Sequence, residues 1–301
     1  MFPIVLVRPP PRPAGSHGEA VDRANAMMRL DGERIAPNAR TALLDCGQRT
    51  AWTVVFLHGL TNHPGQFAML AAMTVKTASN VLIPRMPKHG YADRMTDALA
   101  TLRAEELIAT TSEAIDIACG LGERVAVLGI SMGGLLAAYF GQYRSDVATA
   151  VPIAPDFSVL RLSLDMTGAL AAIGRVAPNI FLWWDPKLKS AQRPRTAYPR
   201  FATRALAQSI RIGDAVVTAA KVKPPVAARI ATVVNTADPA VNNDATKYVV
   251  GLWKELRSDG IEYVQYGDLP KNHDIIDPDN SQARTDIVYP RLLETLALTP
   301  R

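Results

Sequence analysis

From residue 51 onward, short apolar runs rich in β-branched residues alternate with longer amphipathic stretches. The runs at 53–57, 80–84, 124–129, 149–153, 229–235 and 261–266 predict strands, and the stretches at 65–78, 96–120, 133–143, 245–258 and 281–298 predict helices. The strand runs are continuously apolar rather than alternating, as in strands buried on both faces. Strand–helix–strand units of this length make right-handed crossovers, so the pattern predicts an α/β fold with a mostly parallel sheet flanked by helices.

Two regions depart from this rhythm. Residues 1–50 form a short apolar and then proline-rich arm, followed by a helix-like stretch at 19–30 that ends at Asp31-Gly32. After the strand ending near Ala154, the next good strand begins at Arg229. The interval holds a helical pattern at 158–176, the bulky cluster Phe181-Leu182-Trp183-Trp184, and a second helical pattern at 198–220. A structureless loop of that length is implausible inside a compact domain. The expected layout is therefore an arm and helix at 1–50, a core at 51–155 and 225–301, and an inserted helical cap at 156–224.

Composition adds limits. Apolar residues make up 48% of the chain and charged residues 20%, which argues against disorder. The net charge of +5 is uneven: residues 156–224 carry 11 basic and 4 acidic side chains, and the remainder 22 and 24. The basic excess thus sits in the inserted segment, without the aromatic interleaving of a nucleic-acid-binding module. Cys46 and Cys119 supply neither a disulfide framework nor a CxxC metal spacing. No apolar run has the roughly 18 residues of a membrane span. No basic residue precedes the apolar stretch Phe2 to Val7, so the N-terminus does not read as a secretory signal and a cytoplasmic location is expected.

The chemistry gathers around Gly129-Ile130-Ser131-Met132-Gly133-Gly134, between an apolar strand and a helix. This is a G-x-S-x-G nucleophile elbow in the context it requires. The sharp turn lifts the serine hydroxyl clear of the sheet at a helix N-terminus, where amides favour developing negative charge. A serine needs a base, and in this architecture the acid and then the histidine follow it in the chain. Of five histidines only His273 comes after Ser131. The acid should follow the preceding strand, which selects Asp238, with Asp244 as runner-up. Asp214 is too far from a sheet edge, and Asp274 and Asp277 read as loop or cap residues. An oxyanion hole needs two converging amides. Met132 supplies one and Leu60, after the strand ending in His58-Gly59, supplies the other. His58 reads as a loop hydrogen-bonder.

With those residues in view, the chain resembles the α/β-hydrolase superfamily, and within it carboxylesterase and monoacylglycerol-lipase-like enzymes. The resemblance rests on His58-Gly59-Leu60-Thr61, Pro87-Lys88-His89-Gly90, the Ser131 elbow, Asp238 and His273, and spans residues 52 to about 298. It implies an eight-stranded core with a cap inserted after the sixth strand, Ser131 as nucleophile, Asp238 as acid, His273 as base, and Leu60 and Met132 as oxyanion donors. The proline-rich arm, the Lys-Asn-His context of the base and the Ala-Asp-Pro context of the acid depart from the usual pattern.

The expected function is a serine hydrolase that cleaves short- to medium-chain carboxylic esters through an acyl-enzyme. It needs no cofactor and no metal, and its partner is a small-molecule ester rather than a nucleic acid or an inserted membrane. The substrate pocket is expected from the inner face of the cap, with Leu160, Leu164 and Trp183 as lining residues. Thioester, amide or C–C bond hydrolysis would use the same machinery, and a non-catalytic binding protein of this fold would have no need of it.

Overall fold

The computed structural model describes residues 6, 8–159, 162–192 and 197–298. In chain order the central elements are α1 (His17–Arg29), β1 (Ala42–Leu44), β2 (Thr50–Leu57), α2 (Ala68–Val75), β3 (Asn80–Ile83), α3 (Ala104–Leu121), β4 (Gly122–Ile130), α4 (Met132–Tyr143) and β5 (Val147–Ile153). The segment that follows holds α5 (Leu164–Val176), β6 (Phe181–Trp183), β7 (Arg200–Ala202) and α6 (Thr203–Ala220). The chain then returns through β8 (Arg229–Asn235), α7 (Asn243–Leu256), β9 (Ile261–Tyr266) and α8 (Thr285–Leu296).

Seven of the described strands form one sheet in the order β1-β3-β2-β4-β5-β8-β9. β1 is antiparallel and every other pair is parallel. The continuous apolar runs have the predicted cause. Val55 and Leu57 of β2 enter one apolar layer with α1, α3, α4, α6 and α7, while Val54 and Phe56 enter the other with α2 and α8. Successive side chains point to opposite faces, so a strand covered on both sides presents apolar residues to both layers.

Two expectations about topology change. The sheet has seven described strands rather than eight, and the insertion follows the fifth of them in chain order, not the sixth. The reason lies before residue 51, where the chain builds α1 and only the three-residue edge strand β1 on the antiparallel side. The 156–224 segment is also not uniform. Ala205, Ile212, Ala215, Val216 and Ala220 of α6 are buried in the same layer as α4. α5 rests on α6 through Ala171, Ala207 and Ile210, and leaves Met166, Leu170 and Ile173 exposed. The hairpin β6–β7 stands apart from the main sheet.

Candidate active site

Parallel strands deliver their C-terminal ends to one edge, and the predicted site residues meet there. Ser131 closes β4 and is the N-cap of α4, with φ +57° and ψ −117°. A non-glycine residue pays for a positive φ, and such strain survives only where the surroundings over-determine it. Here they do. Ser131 N–H donates to Ile153 O at 2.9 Å, which ties the turn to the end of β5. A side chain at Gly129 would place its Cβ 2.2 Å from Gly133 O, and one at Gly133 would come within 1.9 Å of Leu57 O. The two glycines therefore permit a backbone approach that no other residue allows.

Asp238 and His273 come from the loops after β8 and β9. His273 Nδ1 lies 2.7 Å from Asp238 Oδ2, and the Asp238 side chain is fully buried. The other carboxylate oxygen accepts from Ala240 N–H at 2.8 Å and Val241 N–H at 3.3 Å. This pairing sets the tautomer: Nδ1–H donates to Asp238, and Nε2 is left with a free lone pair. Burial pulls the pKa of His273 down. The charge and hydrogen bond of Asp238, followed by the charges of Asp156 and Asp274, outweigh it and raise the pKa above the ordinary imidazole value. Ser131 and His273 both line a cavity of about 640 Å³. Among the described residues no hydrogen bond joins them; such contacts often tighten only when substrate is present.

Leu60 and Met132 are both buried beside the elbow. Met132 is the first residue of α4, where amides have no acceptor within the helix. The Leu60 loop is held from two sides. His58 Nδ1–H donates to Gly59 O at 3.0 Å, and its Nε2 accepts from Met86 N–H at 3.0 Å. His89 Nε2 lies 2.7 Å from Leu60 O, and its Nδ1 lies 2.8 Å from Pro87 O. Both rings are buried, and burial drops the pKa of His58 well below the ordinary range and that of His89 to about 4. Both rings brace the loop, and a neutral His89 ring donates to one of its two carbonyls at a time.

The loop carrying His273 is anchored to the Leu60 loop by residues that the sequence did not single out. Gln66 Oε1 accepts from Gly59 N–H at 3.0 Å, while its Nε2 donates to Asp274 Oδ2 at 2.8 Å. Asn62 Nδ2 donates to Asp274 Oδ2 at 3.2 Å and to Asp277 Oδ2 at 3.1 Å. Burial, followed by the charge of Asp274, pushes the Asp277 carboxyl up to about 6. No motif marks Gln66 or Asn62, because the network exists only once β2 and β9 share a sheet edge.

The expected pocket residues fare differently. Leu160 lies outside the described residues. Leu164 and Trp183 do not line the cavity. Leu164 packs against the apolar layer of the core, and Trp183 sits near the Arg200 guanidinium at 5.9 Å. Trp184 lines the cavity in their place, because neighbouring residues of an extended segment face opposite ways. Its indole Nε1–H donates to Thr61 Oγ1 at 2.8 Å, and Tyr198 N–H donates to Thr61 O at 2.8 Å. The wall is also more polar than expected, with Asn62, Gln66, Gln192 and Lys271 beside Leu60, Ile130 and Trp184. Asp244, the runner-up acid, is exposed in the first turn of α7.

The alpha/beta hydrolase family profile matches residues 54–269, which takes in the second half of β2, the elbow, Asp238 and the whole of β9. The chain belongs to the alpha/beta hydrolase family. A thermostable monoacylglycerol lipase of Bacillus sp. (strain H-257) is 26% identical to this chain over 161 residues, 53% of this chain and 60% of that lipase. The chain therefore matches less than two thirds of that relative's length. The structure of a Paleococcus ferrophilus monoacylglycerol lipase superposes with a TM-score of 0.65 at 20% identity, over 86% of this chain and 98% of that one. A soluble variant of monoglyceride lipase from Saccharomyces cerevisiae gives 0.67 at 10% identity, over 87% and 92%. At such identities the two structures speak for the fold, and the relatives that this chain resembles are named as lipases. Among the described residues no helix is long and apolar enough to cross a membrane, and no cluster of His, Cys, Asp or Glu is placed to hold a metal ion.

Proposed function

We propose that this protein is a serine hydrolase of carboxylic esters, with Ser131 as nucleophile, His273 as general base and Asp238 as its acid. One observation carries the reading: a serine held at φ +57° on an elbow opens into the same cavity as a histidine whose Nδ1 is fixed 2.7 Å from a buried aspartate.

Ser131 Oγ attacks the ester carbonyl carbon and its proton passes to His273 Nε2. The carbonyl oxygen becomes an oxyanion between the amides of Leu60 and Met132. Asp238 stabilises the imidazolium without taking its proton. The carbon–oxygen bond to the alcohol breaks, and the alcohol leaves with the proton from Nε2. Water then repeats the sequence on the acyl-enzyme, returning the serine and releasing the acid. Residues 156–224 act as a cap over this edge, a role supported by the hydrogen bonds of Trp184 and Tyr198 to Thr61. A cavity of about 640 Å³ suits short- to medium-chain acyl groups, and its mixed wall favours esters with a polar end.

The test is a fluorophosphonate label followed by peptide mapping, alongside burst kinetics on p-nitrophenyl esters of increasing chain length. Labelling at Ser131 with a stoichiometric burst is the expected result. A label elsewhere, or turnover of thioesters or amides far ahead of every ester, overturns the reading.

A further inference from the structure

Asp156 lies just beyond β5, and its carboxyl has no part in the chemistry above. The residue is 7% exposed, and Oδ1 is shut off from solvent with no hydrogen-bond partner. A buried, unsatisfied carboxyl costs free energy that an apolar side chain of the same size would not. The surrounding backbone holds it there on purpose-built geometry. Ala154 takes φ +40° and donates its N–H to Val233 O of β8 at 2.8 Å. The chain beyond is pinned to the loop of Asp238: Asn242 N–H donates to Ser158 O at 2.9 Å, and Val159 bridges Val241. Two adjacent strand ends, those of β5 and β8, thus carry two buried carboxyls to the same edge of the sheet. The charge of Asp156 is felt by both His273 and Asp238.

We propose that Asp156 is a second acid behind His273, a positioning residue that raises the proton affinity of the base and shares the charge of the imidazolium with Asp238. The proposal rests on the reading of His273 as the base. Asp238 is saturated, with one oxygen on His273 and the other on two amides. Asp156 is the opposite, with its buried Oδ1 lacking any hydrogen-bond partner among the described residues. Burial first, and then the nearby Asp238, push its pKa up to about 7, with His273 pulling the other way, so it is the charged ring of His273 that favours the ionised form of this carboxyl. The groups that set the proton on His273 are then three carboxyls, Asp238, Asp156 and Asp274. Asp156 is the one free of other duties, since Asp274 is occupied by Gln66, Asn62 and the amides of Ile276 and Asp277.

The experiment compares kcat/KM against pH for the wild type, Asp156→Asn and Asp156→Ser, each checked for folding by thermal melting. Removing the charge should move the acid half-point down by about half a pH unit or more. In an Asp238→Asn background, adding Asp156→Asn should cost at least about 5-fold more, because the reserve carboxyl is then the remaining counter-charge. An unmoved half-point, or a double variant as active as Asp238→Asn alone, overturns the proposal. Histidine NMR titration of His273 in Ser131→Ala protein measures the same shift without turnover. A shifted His273 in a protein that hydrolyses no ester would sink the functional reading and keep the role of Asp156; an unshifted one in an active esterase would do the reverse.

Discussion

Gln66 and Asp274 stand 208 residues apart in sequence and are joined by a hydrogen bond of 2.8 Å. Because Gln66 also receives the Gly59 amide, one buried side chain couples the loop of Leu60 to the loop of His273. The two halves of the proposed machinery are thereby fixed relative to each other before any substrate arrives.

Gln66→Leu should therefore lower kcat roughly 10- to 100-fold while KM changes little, since the lost contact orients reacting groups rather than binding substrate. Steady-state kinetics with a p-nitrophenyl ester checks this. A change confined to KM would mean that Gln66 touches the substrate instead.

Ser131→Gly should abolish activity by roughly 10³-fold or more and at the same time stabilise the fold. Glycine relieves the strain of φ +57°, worth about 1–3 kcal/mol, and loses part of that gain to the freer unfolded chain. The expected net is about 1 kcal/mol, read as a higher midpoint in urea. Ser131→Ala should lose the same activity without that gain.

Asp238→Asn should cost roughly 10³- to 10⁴-fold in kcat, because the amide can no longer balance the imidazolium and disturbs the tautomer. Asp244→Asn, at an exposed position of α7, should leave kcat/KM within about 2-fold and stability within about 0.5 kcal/mol. Reversal of that ranking would move the acid to Asp244.

Activity should rise with pH as His273 loses its proton, with the half-point of kcat/KM above about 6.5 because the carboxyls around it favour the charged ring. The same shift enters stability with a definite sign. A histidine whose pKa is raised by folding adds stability that is complete below about 6.5 and disappears as pH climbs through the folded value. Asp238→Asn should accordingly lower Tm more at pH 5 than at pH 9, as scanning calorimetry would reveal.

Much of this was legible in the sequence. Continuous apolar runs marked β2, β4, β5, β8 and β9, because a strand covered on both faces leaves no room for alternation. Ser131, Asp238 and His273 could be placed because each follows a strand whose end the pattern locates. β1, β6 and β7 were missed, since three residues are too few for any period to register. Gln66, Asn62 and Asp156 were missed for another reason: their meaning lies in partners far along the chain, or in the lack of any. The pocket was misjudged at Trp183 because a change of one residue in an extended segment swaps the side facing the cavity.

Trp184 gives the molecule an intrinsic optical reporter. Of the four tryptophans, Trp52 and Trp253 are buried in the core, on opposite faces of the sheet. Trp184 is 44% exposed, lines the cavity, leans on Phe201 at 4.4 Å between ring centroids and holds Thr61 through its indole N–H. Any rearrangement at the mouth must change the solvent and the hydrogen bond around that one indole, while the two core indoles stay silent. Emission from Trp184, isolated by replacing Trp183 with phenylalanine, would follow substrate entry and product departure in real time, with no dye attached and no chromogenic ester.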